Sequence, residues 1–309
     1  MVHRLGPLQP LRLKDRSVLE RFLHRFQCPL SAYSVAAHYI WKGSIRFLWT
    51  QWDHTFFLFA RYDDLIYMPL PPLGELSPGA VHAAFVFMDK TNRNPQASRI
   101  ENVDETRLPF FKSLGYAATP GFPEYLYRRE DLAGLQGDRY KSQRAACNHF
   151  EKHHPGHPVE PYRPSDREAC LALFDRWSRE RHLKNVDAYY RALLEDSRRA
   201  HRIALRHFKA LGLTGRVIRI GTEIRAYSFG FARGRETFCI LLEISDLRYK
   251  GLAPYLFRAF CREVAGYASI NTLDDSGLEN LRRVKRSYHP WNMAIPYTIA
   301  ERGDTSPIF

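Results

Sequence analysis

The best domain junction in the chain lies well before its midpoint, at Thr119-Pro120-Gly121-Phe122-Pro123; Leu70-Pro71-Pro72-Leu73-Gly74 reads as a loop. Two prolines and a glycine in five residues cannot sit inside a helix or a central strand. No element is expected to run through them, so each side must build its own core. At 309 residues the chain is long enough for two such cores. Before the break, Asp15 can cap a helix with Val18, Leu19, Phe22, Leu23 and Phe26 on its apolar side. A second helix is predicted over 31–41. Strands follow over Ile45–Thr50, Thr55–Arg61 and Leu65–Pro69. Ser77-Pro78 opens a helix to about Lys90, then come a strand over Arg99–Val103 and a helix over Asp104–Leu114. After the break the pattern predicts a strand over Glu124–Tyr127 and helices over 138–154, 165–183 and 187–208. Strands follow over 213–220, 223–233 and 236–244, then a helix over 254–267 and a strand over 269–271. The expectation is two α+β domains, 1–120 and 121–309, each with a mixed, mostly antiparallel sheet flanked by helices.

Apolar residues make up 45% and charged residues 26%, values of a globular chain. The longest apolar runs, such as Thr55–Ala60 and Ala83–Met88, fall far short of the roughly 18–20 residues of a membrane helix. The first ten residues lack a secretory apolar segment, so a cytoplasmic location without a transmembrane segment is expected. Five widely spaced cysteines with no Cys-x-x-Cys argue against a disulfide framework or a cysteine zinc site. His153, His154 and His157 flank Pro155, but a proline turn does not fix a ligand geometry, and no metal is expected. Net charge is +13, and residues 198–219 hold seven Lys/Arg and no acid. That balance points to an anionic partner: nucleic acid, nucleotide or lipid headgroup. The plainer alternative is a solvated basic surface.

The densest group of chemistry-bearing residues is 270–290, INTLDDSGLENLRRVKRSYHP. A strand end delivers Asp274 and Asp275 to a predicted helix with Leu278, Leu281 and Val284 at helical spacing. Ser276 as N-cap and Glu279 three residues on would form a capping box. Arg282, Arg283, Lys285 and Arg286 follow. Ile270, Asn271, Asp275, Gly277, Leu281, Arg282, Lys285, Tyr288 and Pro290 resemble the signature of the phosphatidylglycerol lysyltransferase C-terminal-domain family (DUF2156). Leu273 stands where that pattern has Glu. Residues 125–150, YLYRREDLAGLQGDRYKSQRAACNHF, resemble a second segment of the same family, with Gln143-Arg144-Ala145 where Lys-Arg-Asn is usual. The resemblance implies a tandem pair of domains with the GNAT acyltransferase fold and an aminoacyl-tRNA donor.

Between the strand over 236–244 and the next helix stands Arg248-Tyr249-Lys250-Gly251-Leu252-Ala253, which resembles the GNAT donor loop. Arg248, Lys250, Gly251 and Ala253 would cradle donor phosphates at a helix N-terminus, joined by Arg282. Glu243, at a strand end, and Asp275 are candidate bases. Tyr227, Ser228, Asn271 and Lys285 are candidate positioning or proton-transfer groups. No nucleophile elbow or Cys-His pairing occurs, so direct transfer to a positioned acceptor is expected. Under an aminoacyl-tRNA reading, Arg139, Lys141, Arg144, Arg202 and Arg206 would hold phosphates. The alternatives are an acyl-CoA-dependent N-acyltransferase and a non-catalytic anion- or RNA-binding module. No tightly bound cofactor is expected; acyl-CoA would be a substrate. The acceptor stays open among an amine, a peptide and a lipid headgroup.

Overall fold

The computed structural model describes residues 5–184 and 187–301. It divides into two compact units: the chain up to Pro123 together with its return from Ala294, and Glu124–Met293. Among the described residues no helix is long and apolar enough to cross a membrane.

The first unit holds β1 (Gln9–Pro10), α1 (Arg16–Leu23), α2 (Val35–Tyr39), β2 (Arg46–Trp52), β3 (Thr55–Tyr62), β4 (Leu65–Tyr67), α3 (Pro78–Thr91), β5 (Ile100–Val103), α4 (Leu108–Ser113) and β6 (Ala117–Pro120). Strands β1 to β4 form an antiparallel sheet in that order. The first six residues of β3 are all buried, which is why its sequence is a continuous apolar run and not an alternation. Ser77 caps α3 by accepting from the Ala80 amide at 3.2 Å, and Pro78 sits in its first turn. Phe57, Phe59, Phe85, Met88 and Phe111 form the core.

The last described strand, Tyr297–Ala300, lies between β5 and β6 and pairs antiparallel with both. This differs from the expected second domain of 121–309. Residues from Ala294 onward complete the first unit. Without them β5 and β6 would each present an unpaired edge, and the fully buried Ile299 would be missing from the core. The Gly121 amide donates to the Pro296 carbonyl at 2.8 Å, so the Pro-Gly-Phe-Pro segment is held by this returning chain.

The second unit runs β7 (Glu124–Arg128), α5 (Arg129–Gly134), α6 (Lys141–His153), β8 (Val159–Pro161), α7 (Arg167–Lys184), α8 (Ala188–His207), β9 (Thr214–Ile220), β10 (Glu223–Arg233), β11 (Thr237–Ser245), α9 (Leu252–Glu263), β12 (Ser269–Asn271), α10 (Glu279–Arg286) and β13 (Asn292–Ala294). The sheet order is β13-β7-β12-β11-β10-β9-β8. Strand β11 pairs parallel with β12, and α9 supplies the crossover such a pair needs. One face packs Phe238, Ile240 and Ile270 against Phe257 and Phe260 of α9. On the other, Tyr227 meets His201 of α8, whose ring also contacts Phe174 of α7. The unit is therefore α+β, with a mixed sheet flanked by helices.

Two irregularities shape β11. It carries one residue more than β10 between the pairs Phe229↔Leu242 and Gly230↔Ile240, so Leu241 is bulged. It also pairs with β12 only from Thr237 to Cys239, while continuing to Ser245. Beyond Cys239 the two parallel strands part. Gly230 sits beside the bulge, where a Cβ would overlap the Phe238 ring and the Cys239 carbonyl oxygen. Gly230→Ala is expected to destabilise the chain by about 2–4 kcal/mol in urea unfolding. Gly266→Ala, with open space at its Cβ, should change stability by less than about 0.5 kcal/mol.

Candidate active site

A cavity of about 530 Å³ opens where β11 and β12 part. Ile240 to Glu243 form one wall. Thr272, Lys285 and Tyr288 lie across it, with Pro254 and Phe257 of α9 and Leu281 and Val284 of α10 completing the lining. Glu243 stands opposite Ser228 in the β10–β11 register. Its Oε2 is buried and has no hydrogen-bond partner. Burial pushes this carboxyl up to about 8, and the Ser228 hydroxyl offsets only part of the shift. Thr272 Oγ1 is likewise buried without a hydrogen-bond partner.

Lys285 reaches the cavity with its stem and spends its ammonium on the chain turn after β12. It donates to the carbonyls of Thr272, Leu273 (3.0 Å) and Asp274 (2.5 Å). Burial lowers it to about 8, against the pull of Asp274, Glu124 and Asp275. The turn it holds is strained, with positive φ at Leu273 and Ser276. Asp275 is almost fully buried and accepts from Tyr125 Oη (2.6 Å), Arg282 Nε (3.0 Å) and the Gly277 amide (3.0 Å). Burial alone would raise this carboxyl; Arg282, Tyr125 and Gly277 together hold it below the usual range. Asn271 donates to Glu124 at 2.5 Å and accepts from the Leu273 amide at 2.7 Å. Asn271, Asp275 and Arg282 thus form a polar knot that anchors α10. Arg282 is paired with Asp275 through Nε and with Glu279 through Nη1.

The expected capping box does not form. Ser276 has φ +51° and bonds Asp274, and α10 starts at Glu279 with Leu278 in the cap position. The end of α10 is held instead: Tyr127 Oη donates to the Lys285 carbonyl (2.9 Å), and Gln143 Nε2 to the Ser287 carbonyl (2.6 Å). Tyr227 faces away from the cavity, fully buried, with its hydroxyl 2.8 Å from His201 Nδ1. Period-two alternation separates it from Ser228, which shares the Glu243 side.

The loop before α9 is more occupied than its sequence implies. Arg248 and Arg225 both pair with the buried Asp246, at 2.7 and 3.2 Å, and Arg176 lies 3.6 Å away. Gly251 caps α9 with φ +84°, and a Cβ there would collide with the Ala146 carbonyl of α6. The Leu252 amide donates back to Tyr249, and Pro254 has no amide hydrogen. Ala253 is left as the free donor among the first three residues of α9, and Lys250 is exposed.

The cationic residues separate by partner. Arg144 donates to the carbonyls of Leu135 (2.5 Å) and Gly137 (2.9 Å), closing the α5–α6 turn. Arg139 pairs with Asp131 at 2.9 Å, and Lys141 is exposed. In the acid-free segment, Arg198, Arg199, Arg216 and Arg219 pair with acids from elsewhere in the unit. Arg202 and Arg206 are exposed and line a groove of about 610 Å³ with Arg167, Arg198 and Asp175. Sequence reasoning missed Thr272 and Tyr288 as cavity walls. The signal available was their position just past β12 and α10, but only the parting of β11 from β12 gives it meaning. Among the described residues no group of His, Cys, Asp and Glu could hold a metal.

Three antiparallel strands, a crossover helix capped by glycine and a cleft at the parting strands make the second unit a GNAT-like acyltransferase fold. The chain belongs to the family of phosphatidylglycerol lysyltransferase C-terminal domains, whose model matches residues 25–299. It is similar to a conserved protein of unknown function from Bacteroides thetaiotaomicron (23% identity, TM-score 0.85, 95% of this chain and 98% of that one). It is also similar to the L-PGS structure from Bacillus licheniformis (16% identity, TM-score 0.65, 93% and 92%). A DUF2156 domain ascribed to a lysylphosphatidylglycerol synthetase of Agrobacterium fabrum is similar as well (14% identity, TM-score 0.63, 94% and 92%). No functionally curated protein matches the chain.

Glu243 gives the site a pH signature. Its folded pKa lies above its unfolded one, so the stabilisation of the neutral form is complete below about pH 4.5 and is lost as pH rises through about 8. Glu243 by itself contributes a loss of up to about 1.4 kcal/mol per pH unit across that window, and because the buried His38 and His201, lowered by burial to about 4 and about 3, act in the opposite direction below about pH 6.5, the signature is the difference between wild type and variant. Glu243→Gln should remove that component and be the more stable protein at pH 8, as followed by urea unfolding at stepped pH. Lys285, lowered to about 8, acts above this window and does not mask it.

Proposed function

We propose that this chain is an aminoacyl transferase that takes its acyl group from aminoacyl-tRNA and passes it to an acceptor seated in the cavity of the second unit. The observation that carries the reading is Glu243, a buried carboxylate with an unpartnered oxygen on the wall of a cavity in an acyltransferase fold. The ester of the donor is already activated. The protein has to position the acceptor, take its proton and shield the reaction from bulk water. In this reading Glu243 takes that proton and returns it to the ribose oxygen as the ester C–O bond breaks. The Thr272 hydroxyl is available for the developing oxyanion. Lys285 acts through the turn it holds and is a positioning residue.

The choice of donor rests on where cations stand unpaired. Arg202 and Arg206 make no ion pair among the described residues, and their groove suits a phosphodiester backbone. Acyl-CoA draws less support. Arg248 is tied to Asp246, and the start of α9 offers few free amides for a pyrophosphate. Gly251→Val would not separate the donors, because the clash with Ala146 disturbs the fold whichever donor is used. The phosphatidylglycerol acceptor named by the family is one member of the acceptor classes this reading admits.

The test is binding of a charged tRNA pool by fluorescence anisotropy across a salt series. Arg202→Ala with Arg206→Ala should weaken binding and flatten the slope of log K against log salt by about 0.7–0.9 for each phosphate no longer neutralised. Equal affinity and equal slope for both proteins would remove the groove from the donor site.

A further inference from the structure

The cleft lies past the last residue of β12. At its first residue, Ser269, a second groove of about 580 Å³ opens, lined by Arg128, Arg129, Glu130, Ser269, Trp291 and the turn from Ala265 to Ala268. Its volume lies within the roughly 300–1,000 Å³ of small-molecule sites. Strand β7 ends where β12 begins. Arg128 stands opposite Ser269 in their register, so both side chains leave the sheet on the same face. Trp291 is 52% exposed, and among the described residues no ring or cation covers its indole. A bare indole face is a stacking platform for a heteroaromatic ring. The groove also collects donors. Arg128 is exposed, and its side chain makes no hydrogen bond or ion pair among the described residues. Arg129 spends one nitrogen on the Cys261 carbonyl, at 3.5 Å. In the turn after α9 the Tyr267 amide bonds back to the Val264 carbonyl, whereas those of Ala265, Gly266 and Ala268 have no acceptor among the described residues. Two guanidiniums and these amides outweigh the one carboxylate, Glu130, and favour an anion. Glu130 itself is suited to accept from the hydroxyls of a sugar.

We propose that this groove binds a nucleotide, with the base stacked on Trp291, the phosphate on Arg128, Arg129 and the Ala265 and Gly266 amides, and the ribose hydroxyls on Glu130 and Ser269. The combination selects the class. A bare phosphate leaves the indole unused. An apolar ligand leaves the guanidiniums without an anion, and an ammonium meets two like charges. A nucleotide uses the ring, the cations, the amides and the carboxylate at once. It can be a free mononucleotide or an unpaired residue of an RNA strand, since both present the same base, sugar and phosphate. The whole length of β12 separates the groove from the cleft, so its occupant is held away from the reacting atoms. The assignment is independent of the donor groove at Arg202 and Arg206 and of the chemistry assigned to the cleft.

Fluorescence anisotropy of etheno-AMP titrated with the full chain tests the assignment. The probe should bind saturably and be displaced by AMP. Adenosine and ribose 5-phosphate each lack one anchor and should compete at least about tenfold more weakly. Trp291→Leu should weaken probe binding by about 5–150-fold, the worth of one base–aromatic stack. Arg128→Ala should weaken AMP at least about fivefold and leave adenosine unchanged. Gly266→Glu places an acid in the groove at a position with open space around its Cβ, so it should abolish binding while the fold stands. Arg202→Ala with Arg206→Ala should leave probe binding as in wild type. Single-stranded tetraadenylate separates the sources: tighter competition than AMP marks an RNA residue, weaker competition a free nucleotide. Absence of saturable binding up to about 1 mM, equal competition by AMP and adenosine, or affinity unchanged in both Trp291→Leu and Gly266→Glu would overturn the proposal. Loss of probe binding in the Arg202 and Arg206 variant alone would move the nucleotide to that groove and overturn it as well.

Discussion

The site depends on the polar knot centred on Asp275. One buried carboxylate gathers Tyr125 from β7, Arg282 from α10 and the Gly277 amide, the first of them 150 positions away from it in sequence. Beside it Asn271 joins Glu124, and Lys285 closes the carbonyls of the turn between β12 and α10. A buried network of this kind is costly unless every member is satisfied. Here each carboxylate or ammonium meets donors or acceptors from a different element, so the network fixes their mutual placement. Removing one partner would leave an uncompensated buried charge and free α10 from the sheet.

That anchoring matters because the sheet itself is open at this point. Strand β11 outruns β12 beyond Cys239, and the bulge at Leu241 turns its following residues. Left uncovered, the gap would be a water-filled notch in which a carboxylate behaves normally. With α10 held across it, Leu281 and Val284 supply carbon walls and Glu243 loses its solvation.

Much of the architecture was legible because it is local. The three-strand run from Thr214 to Ser245, the longer helices of the second unit (α6 to α9, though not the short α5) and the break near Pro120–Pro123 follow from periodicity and proline chemistry. The family resemblance at 125–150 and 270–290 falls on the two segments that build the knot. What stayed hidden depends on partners far away in sequence. Nothing local shows that Tyr297–Ala300 returns to the first unit, because a four-residue strand takes its place from the edges it closes. Arg144, Arg248 and Arg282 read as open cations until Leu135, Asp246 and Asp275 are brought to them. Tyr227 and Ser228 are neighbours in sequence, and their assignment to opposite faces follows from alternation. Which face carries the cavity does not. Ser276 looked like a helix cap because Glu279 stands three residues on, but the turn that Lys285 binds required it in a left-handed conformation.

In the proposed function, acyl transfer happens in the second unit's cavity with Glu243 taking the proton. Single-turnover discharge of a radiolabelled aminoacyl-tRNA pool, wild type against Glu243→Gln, tests it most directly. The variant should bind the donor normally and discharge it about 10²–10⁴-fold more slowly. Equal discharge rates with equal donor binding would contradict it and place the chemistry elsewhere.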